Sequence, residues 1–168
     1  VQRGMVLPPI VITEWNANRG SGGDPWIEAV DLIEIAIGMI ETNVEAAFYY
    51  TVGNIADVES GTLTPIGQAF KILGQLQGTR LTCNTSSEIM GIAAKDTTGH
   101  LSLVFRHWNQ SPTTLQLRLP DGYTTYTLSL FSENRPPIHS NGLLTATSTT
   151  HHLSLPGRSF GLLTLPSP

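Results

Sequence analysis

The chain has 168 residues, a length that fits one ordinary domain or two small ones and falls short of a complete (β/α)8 barrel of roughly 250 residues. Hydrophobic residues make up 40% against 13% charged, with 16 Gly and 11 Pro, so the chain can bury a core and is too apolar for intrinsic disorder. Nine Lys and Arg against thirteen Asp and Glu give a formal charge of −4, and no basic cluster offers the surface a nucleic-acid partner requires.

The apolar runs are interrupted well before the roughly 20 residues needed to cross a bilayer, so no membrane span is expected. The start, Val1-Gln2-Arg3-Gly4, lacks an initiator Met and a signal-peptide pattern, and reads as a processed product or a piece of a longer chain. In chain order, Met5 to Thr13 (MVLPPIVIT) ends in a β-branched run suited to a strand buried on both faces, with the strand proper after Pro8 and Pro9. Ala17 to Gly23 reads as a loop. Asp24-Pro25 then supplies an N-cap and a first-turn proline for a helix over 25–42. Its apolar stripe is Trp26, Val30, Ile33, Ile37 and Ile40, with Glu28, Asp31, Glu34 and Glu41 mostly on other faces.

Val44 to Val52 (VEAAFYYTV) predicts a second buried strand, parallel to the first, followed by a polar loop through Gly61. Thr64-Pro65 repeats the cap-then-proline signal for a second helix carrying Ile66, Ala69, Phe70, Leu73 and Leu76. At Gln77-Gly78 the pattern changes to short alternating segments. Strands are expected at 88–95, 101–106, 115–119, 124–131, 143–148, 153–155 and 160–165, with turns at 96–99, 120–122, Ser140-Asn141-Gly142 and Pro156-Gly157. One core should gather Leu103, Phe105, Leu117, Leu128 and Leu130, leaving Ser102, Gln116 and Ser129 outward. The fold class is therefore α/β plus all-β: a βαβα unit over 1–78 and an antiparallel β-sandwich over 79–168.

Chemistry concentrates at Thr13-Glu14-Trp15-Asn16. In a parallel α/β sheet ligands meet the carboxyl ends of the strands, and Glu14 falls where the first strand ends. A carboxylate can attack an anomeric carbon, an aromatic ring can stack on a sugar, and an amide can bond its hydroxyls. Elsewhere, Asp24 reads as a cap, and Asp57 and Glu59 as loop acids. The lone Cys83 reads as a small buried hydrophobe. The adjacent His151-His152 point to opposite faces of a strand, and His100, His107 and His139 are scattered, which argues against a metal site.

The stretch IVITEWN, the helix PWIEAVDLIEIAIGMIET, the strand VEAAFYYTVGN and the helix TPIGQAFKILGQL together resemble the end of the barrel in retaining (β/α)8 glycoside hydrolases with two catalytic glutamates, arabinofuranosidase-like and xylosidase-like members above all. The resemblance implies that residues 1–78 are the last two βα units of a catalytic barrel and 79–168 its accessory sandwich. It implies Glu14 as nucleophile, Trp15 and Asn16 supporting the site, and Tyr49, Tyr50 and Asn54 at the end of the last strand, binding an oligo- or polysaccharide. Many relatives carry Trp where this strand ends in Tyr. The acid/base Glu, which follows an Asn on an earlier strand, has no counterpart here because the chain lacks an Asn-Glu dipeptide. A missing N-terminal barrel segment is the implied partner, no cofactor is implied, and a secreted or periplasmic location follows from the resemblance. The competing expectation is a non-catalytic carbohydrate-binding or structural sandwich with an inherited βαβα adaptor, for which Trp108 is the exposed-aromatic candidate.

Overall fold

The computed structural model describes residues 10–17, 23–42, 44–50, 54–83, 85–86, 88–119, 122–144 and 150–167. The first strand, β1 (Ile10–Trp15), leads into helix α1 (Pro25–Glu41), strand β2 (Val44–Tyr49) and helix α2 (Pro65–Leu73). β1 and β2 pair in parallel with α1 between them in the chain, as the sequence predicts. Both helix starts use the expected caps. The Asp24 carboxylate accepts hydrogen bonds from the N–H groups of Trp26 (2.9 Å) and Ile27 (3.4 Å), and Thr64 Oγ1 accepts from that of Gly67 (3.2 Å). Gly67 is required by close approach, since a Cβ there would lie 2.0 Å from the Ile55 carbonyl oxygen.

The described residues hold ten strands. The remaining eight are β3 (Thr79–Leu81), β4 (Ile89–Lys95), β5 (Leu101–His107), β6 (Thr113–Arg118), β7 (Thr125–Ser132), β8 (Arg135–Leu143), β9 (Thr150–Leu155) and β10 (Ser159–Leu165). Six form an antiparallel sheet in the order β3-β4-β5-β10-β7-β8, and β6 and β9 form a two-stranded antiparallel ribbon.

The large sheet is covered on both faces. Leu103, Phe105, Leu128, Leu130 and Leu163 meet Leu115, Leu117 and Leu155 of the ribbon, the single core expected from the alternation. On the other face Ile92, Val104, Phe131, Phe160 and Leu162 share a core with Val30, Ile33 and Ile37 of α1 and Ile66, Ala69 and Ile72 of α2. Arg106 lies on this face too and donates to Glu34 of α1 at 2.8 Å, tying helix to sheet through a buried guanidinium. Thus one apolar layer runs unbroken across Gln77-Gly78.

Several expectations need correction. Of the strand expected at 143–148, Leu143 closes β8, Leu144 follows it outside any strand and 145–148 fall outside the described residues, while Ser140-Asn141-Gly142 lies inside β8 rather than in a turn. β8 is the outer strand of the sheet, and Pro136 and Pro137 fall where its register with β7 is irregular, between the Leu130–Ile138 and Ser132–Arg135 pairs, so an edge and a bulge accommodate the missing N–H groups. Residues 145–149 lie outside the described residues, as do the prolines at 8 and 9. β3, unforeseen, is a three-residue edge strand too short for a readable period. Glu28 and Asp31 are buried, at 6% and 1% exposure, because α1 is enclosed by α2 and by the sheet and so buries more than one stripe. β1 and β2, expected to be buried on both faces, are covered on the helix side alone, leaving Ile10, Val11, Phe48 and Tyr50 exposed.

The cap at Asp24 carries a measurable consequence. Asp24→Ala is expected to lower stability by about 1 kcal/mol in urea unfolding, whereas Asp24→Asn keeps an acceptor for the Trp26 N–H and loses less. An equal loss in both variants would assign the effect to the 3.7 Å contact between Asp24 and Arg158 instead of the cap.

Candidate active site

The carboxyl ends of β1 and β2 are where this parallel pair can present chemistry, and an irregularity sets what they present. Ile12 pairs with Ala47 and Trp15 with Tyr49, so Thr13 and Glu14 on β1 stand opposite Phe48 alone on β2. Two residues facing one is a β-bulge, which turns side chains away from simple alternation. Thr13, Glu14 and Phe48 are all exposed, while Trp15 and Tyr49 are half-buried. Glu14 therefore stands on the open face of the pair, at the strand end, accessible to solvent.

Trp15 and Tyr49 form the other side. Their rings meet edge to face with centroids 5.0 Å apart, and both pack against Phe70 of α2, at 6.4 and 5.0 Å. Their contacts are thus with the apolar layer beneath the strands. Burial pushes the Tyr49 phenol above its ordinary range, the Glu28 carboxylate adds to that push, and a backbone hydrogen bond from Ala17 offsets part of it. The phenol stays neutral and anchors the end of β2 to the turn after β1.

Asn16 and Tyr50 are exposed just beyond the two strands, joined through the backbone by the Tyr50 N–H donating to the Trp15 carbonyl at 2.7 Å. Asn54 is exposed as well, and its backbone carbonyl accepts from the Thr64 hydroxyl, which also donates to the Ile55 carbonyl at 3.1 Å. This fastens the loop after β2 to the cap of α2. The six residues singled out in the sequence therefore fall at one end of the pair, in two groups: Glu14, Asn16, Tyr50 and Asn54 open to solvent, Trp15 and Tyr49 turned toward the helices.

The loop acid Asp57 has a local task. It accepts from the N–H and hydroxyl of Ser60 at 2.7 and 2.9 Å and from Glu59 N–H at 3.0 Å, and the Ser60 bonds hold its carboxyl below the usual range. Glu28, buried beside Tyr49, was not foreseen as part of this region; helical spacing alone gives no sign of it. Cys83 is half-buried against the sandwich core, and desolvation raises its thiol. Among the described residues no three His, Cys, Asp or Glu side chains gather as a metal site would need. None of the described helices is long and apolar enough to cross a membrane.

The chain resembles known proteins in fold and not in sequence. No protein-family model matches it, and no curated protein matches it in sequence. Solved structures do. CelM2, a bifunctional glucanase-xylanase from a metagenome library, superimposes with a TM-score of 0.73 at 18% identity, over 95% of this chain and 31% of that one. The chain shares its fold with part of a glycoside hydrolase. A Paenibacillus polymyxa xyloglucanase of glycoside hydrolase family 44 gives 0.71 at 12% identity, over 95% and 32%. Xyn30A, a family 30 subfamily 8 xylanase from Clostridium acetobutylicum, gives 0.71 at 14%, over 95% and 43%. The chain spans less than half the length of each, and the glycosidase-like fold includes both the βαβα unit and the sheet it packs on.

Proposed function

We propose that this chain is the C-terminal part of a retaining glycoside hydrolase, with residues 1–78 as the last two βα units of a (β/α)8 barrel, residues 79–168 as the accessory sandwich, and Glu14 as the nucleophile. The observation that carries the proposal is Glu14 itself: a solvent-facing carboxylate at the carboxyl end of a parallel strand, set on the open face by a bulge, in a chain with the fold of part of a glycosidase. Phe48, opposite Glu14, and Ile10 and Val11 at the start of β1 are exposed apolar side chains, which suits a face that further barrel strands would cover.

In this reading the Glu14 carboxylate attacks the anomeric carbon of a polysaccharide substrate, and a glycosyl-enzyme ester forms as the aglycone leaves. An acid/base carboxyl about 5–5.5 Å away first protonates the leaving oxygen and then takes a proton from the water that hydrolyses the ester. That second carboxyl belongs to the missing N-terminal barrel segment. Asn16, Tyr50 and Asn54 border the sugar, while Trp15 and Tyr49 brace the strand ends from behind through Phe70. The neighbours named for glucan, xylan and xyloglucan support a plant-type polysaccharide as the substrate class.

The experiment is hydrolysis of an aryl xyloside and an aryl arabinoside by the full-length parent and by its Glu14→Ala variant. Parental activity in the variant would return Glu14 to the role of an ordinary strand-end acid.

A further inference from the structure

Strict alternation along β1 would put Glu14 on the face of half-buried Ile12, and Trp15 on the face of exposed Val11 and Thr13. The bulge reverses both, and a one-residue slip in the pairing with β2 would undo it. The polar atom of Trp15 works against the observed arrangement. Its Nε1 is buried without a hydrogen-bond partner among the described residues, so the indole N–H would gain by turning out to water. The Tyr50 N–H donates to the Trp15 carbonyl at 2.7 Å, a backbone bond that ties the strand ends together without deciding which face a side chain takes. What holds the inward position is therefore the packing of the ring.

That packing is directional. The Trp15 indole meets Tyr49 edge to face with centroids 5.0 Å apart, and Phe70 closes the cluster at 6.4 Å from Trp15 and 5.0 Å from Tyr49. Trp15 and Tyr49 stand on the two strands whose register is in question, whereas Phe70 belongs to α2. α2 is fixed from elsewhere. Thr64 caps its start, Gly67 lies against the Ile55 carbonyl, and Ile66, Ala69 and Ile72 share a core with Ile92, Val104, Phe160 and Leu162 of the large sheet. The sheet sets where α2 lies, and α2 sets where Phe70 meets the strand ends.

We propose that Phe70 is a positioning residue: it carries the hold of the large sheet, through α2, to Trp15 and Tyr49, and so keeps the bulge in the register that faces Glu14 outward. That Glu14 has a reaction to perform rests on the hydrolase reading. Within that reading the sandwich helps to aim the nucleophile, since a carboxylate turned to the wrong face cannot reach an anomeric carbon.

The test begins with accessibility in the 168-residue chain. A carbodiimide with glycine ethyl ester labels open carboxylates, a low dose of N-bromosuccinimide oxidises open indoles, and both are read peptide by peptide in a mass spectrometer. Glu14 should be labelled and Trp15 spared, with Trp108, 41% exposed, as the reactive reference. In Phe70→Ala, Glu14 labelling should fall and Trp15 oxidation rise, each at least about threefold. Phe70→Leu keeps most of the volume and should move both readings the same way by less, which decides the matter should Phe70→Ala fail to fold. Ile72→Val, two residues on and so on the other side of the helix, should lower Tm and leave both readings unchanged. Unchanged readings in the Phe70 variants would overturn the proposal, as would readings that follow Tm in every variant, Ile72→Val included. In the full-length parent, Phe70→Leu should lower kcat at least about fivefold with KM within about twofold, a split that general loosening of the fold does not produce. Parental kcat in that variant would also overturn the positioning role. Full activity in Glu14→Ala would instead refute the hydrolase reading and leave the labelling result intact.

Discussion

Glu14→Ala in the full-length parent is expected to reduce hydrolysis of an aryl glycoside by at least about a thousandfold, roughly 4 kcal/mol of transition-state stabilisation. The loss should appear in kcat, since the carboxylate forms its bond only as the reaction proceeds. Azide should restore part of the turnover on an activated substrate by occupying the space of the lost side chain, and the glycosyl azide should have inverted configuration. Tyr50→Phe, at the border of the same open face, should change KM more than kcat. On the proposed reading the isolated 168-residue chain should show negligible turnover, because the retaining mechanism needs a second carboxyl and the chain carries no Asn-Glu dipeptide to supply it.

Phe160→Ala is expected to destabilise the chain by about 3–5 kcal/mol, a drop of roughly 10 °C in Tm for a protein of this size. Phe160 is fully buried on β10, stacks on Phe131 with centroids 5.3 Å apart, and meets Trp26 of α1 at 6.1 Å. It sits in the layer that the two helices share with the large sheet, so far-ultraviolet signals of helix and near-ultraviolet signals of the aromatic layer should be lost in one transition. Two separated transitions, with the variant shifting one of them alone, would mean that the halves on either side of Gln77-Gly78 are energetically independent despite their common core.

The periodic elements were legible because their signals are local. Asp24-Pro25 and Thr64-Pro65 each join a side-chain acceptor to a residue that lacks an N–H, and both start helices at the expected positions. The alternation of Leu101, Leu103 and Phe105 likewise marked one core face of β5. The opposite face was harder to read, since Val104 and Arg106 look like the outward side of a two-layer sandwich. They are buried because α1 supplies a third layer, a fact of tertiary packing that no local window contains. β8 escaped notice for a related reason: Pro136-Pro137 and Asn141-Gly142 carry turn signals, which an outer strand tolerates.

At the candidate site the sequence named a strand-end segment and left its facing open. E-W-N reads as three adjacent polar or aromatic groups at a strand end. The bulge opposite Phe48 separates them, exposing Glu14 and turning Trp15 onto Tyr49 and Phe70. Bulges depend on register with a partner strand, here 34 residues further along at the Trp15–Tyr49 pair, and are invisible until that partner is known.

Covalent trapping addresses the central claim most directly. The parent should be incubated with an activated 2-deoxy-2-fluoro glycoside of the sugar it cleaves, then digested and analysed by mass spectrometry. A retaining enzyme forms the glycosyl ester with such a compound and releases it slowly, so the adduct can be assigned to a residue. The account predicts one fluoroglycosyl group per protein, on the peptide containing Thr13-Glu14-Trp15 and on Glu14 within it. An adduct on any other carboxylate, or hydrolysis with inversion and no adduct, would contradict it.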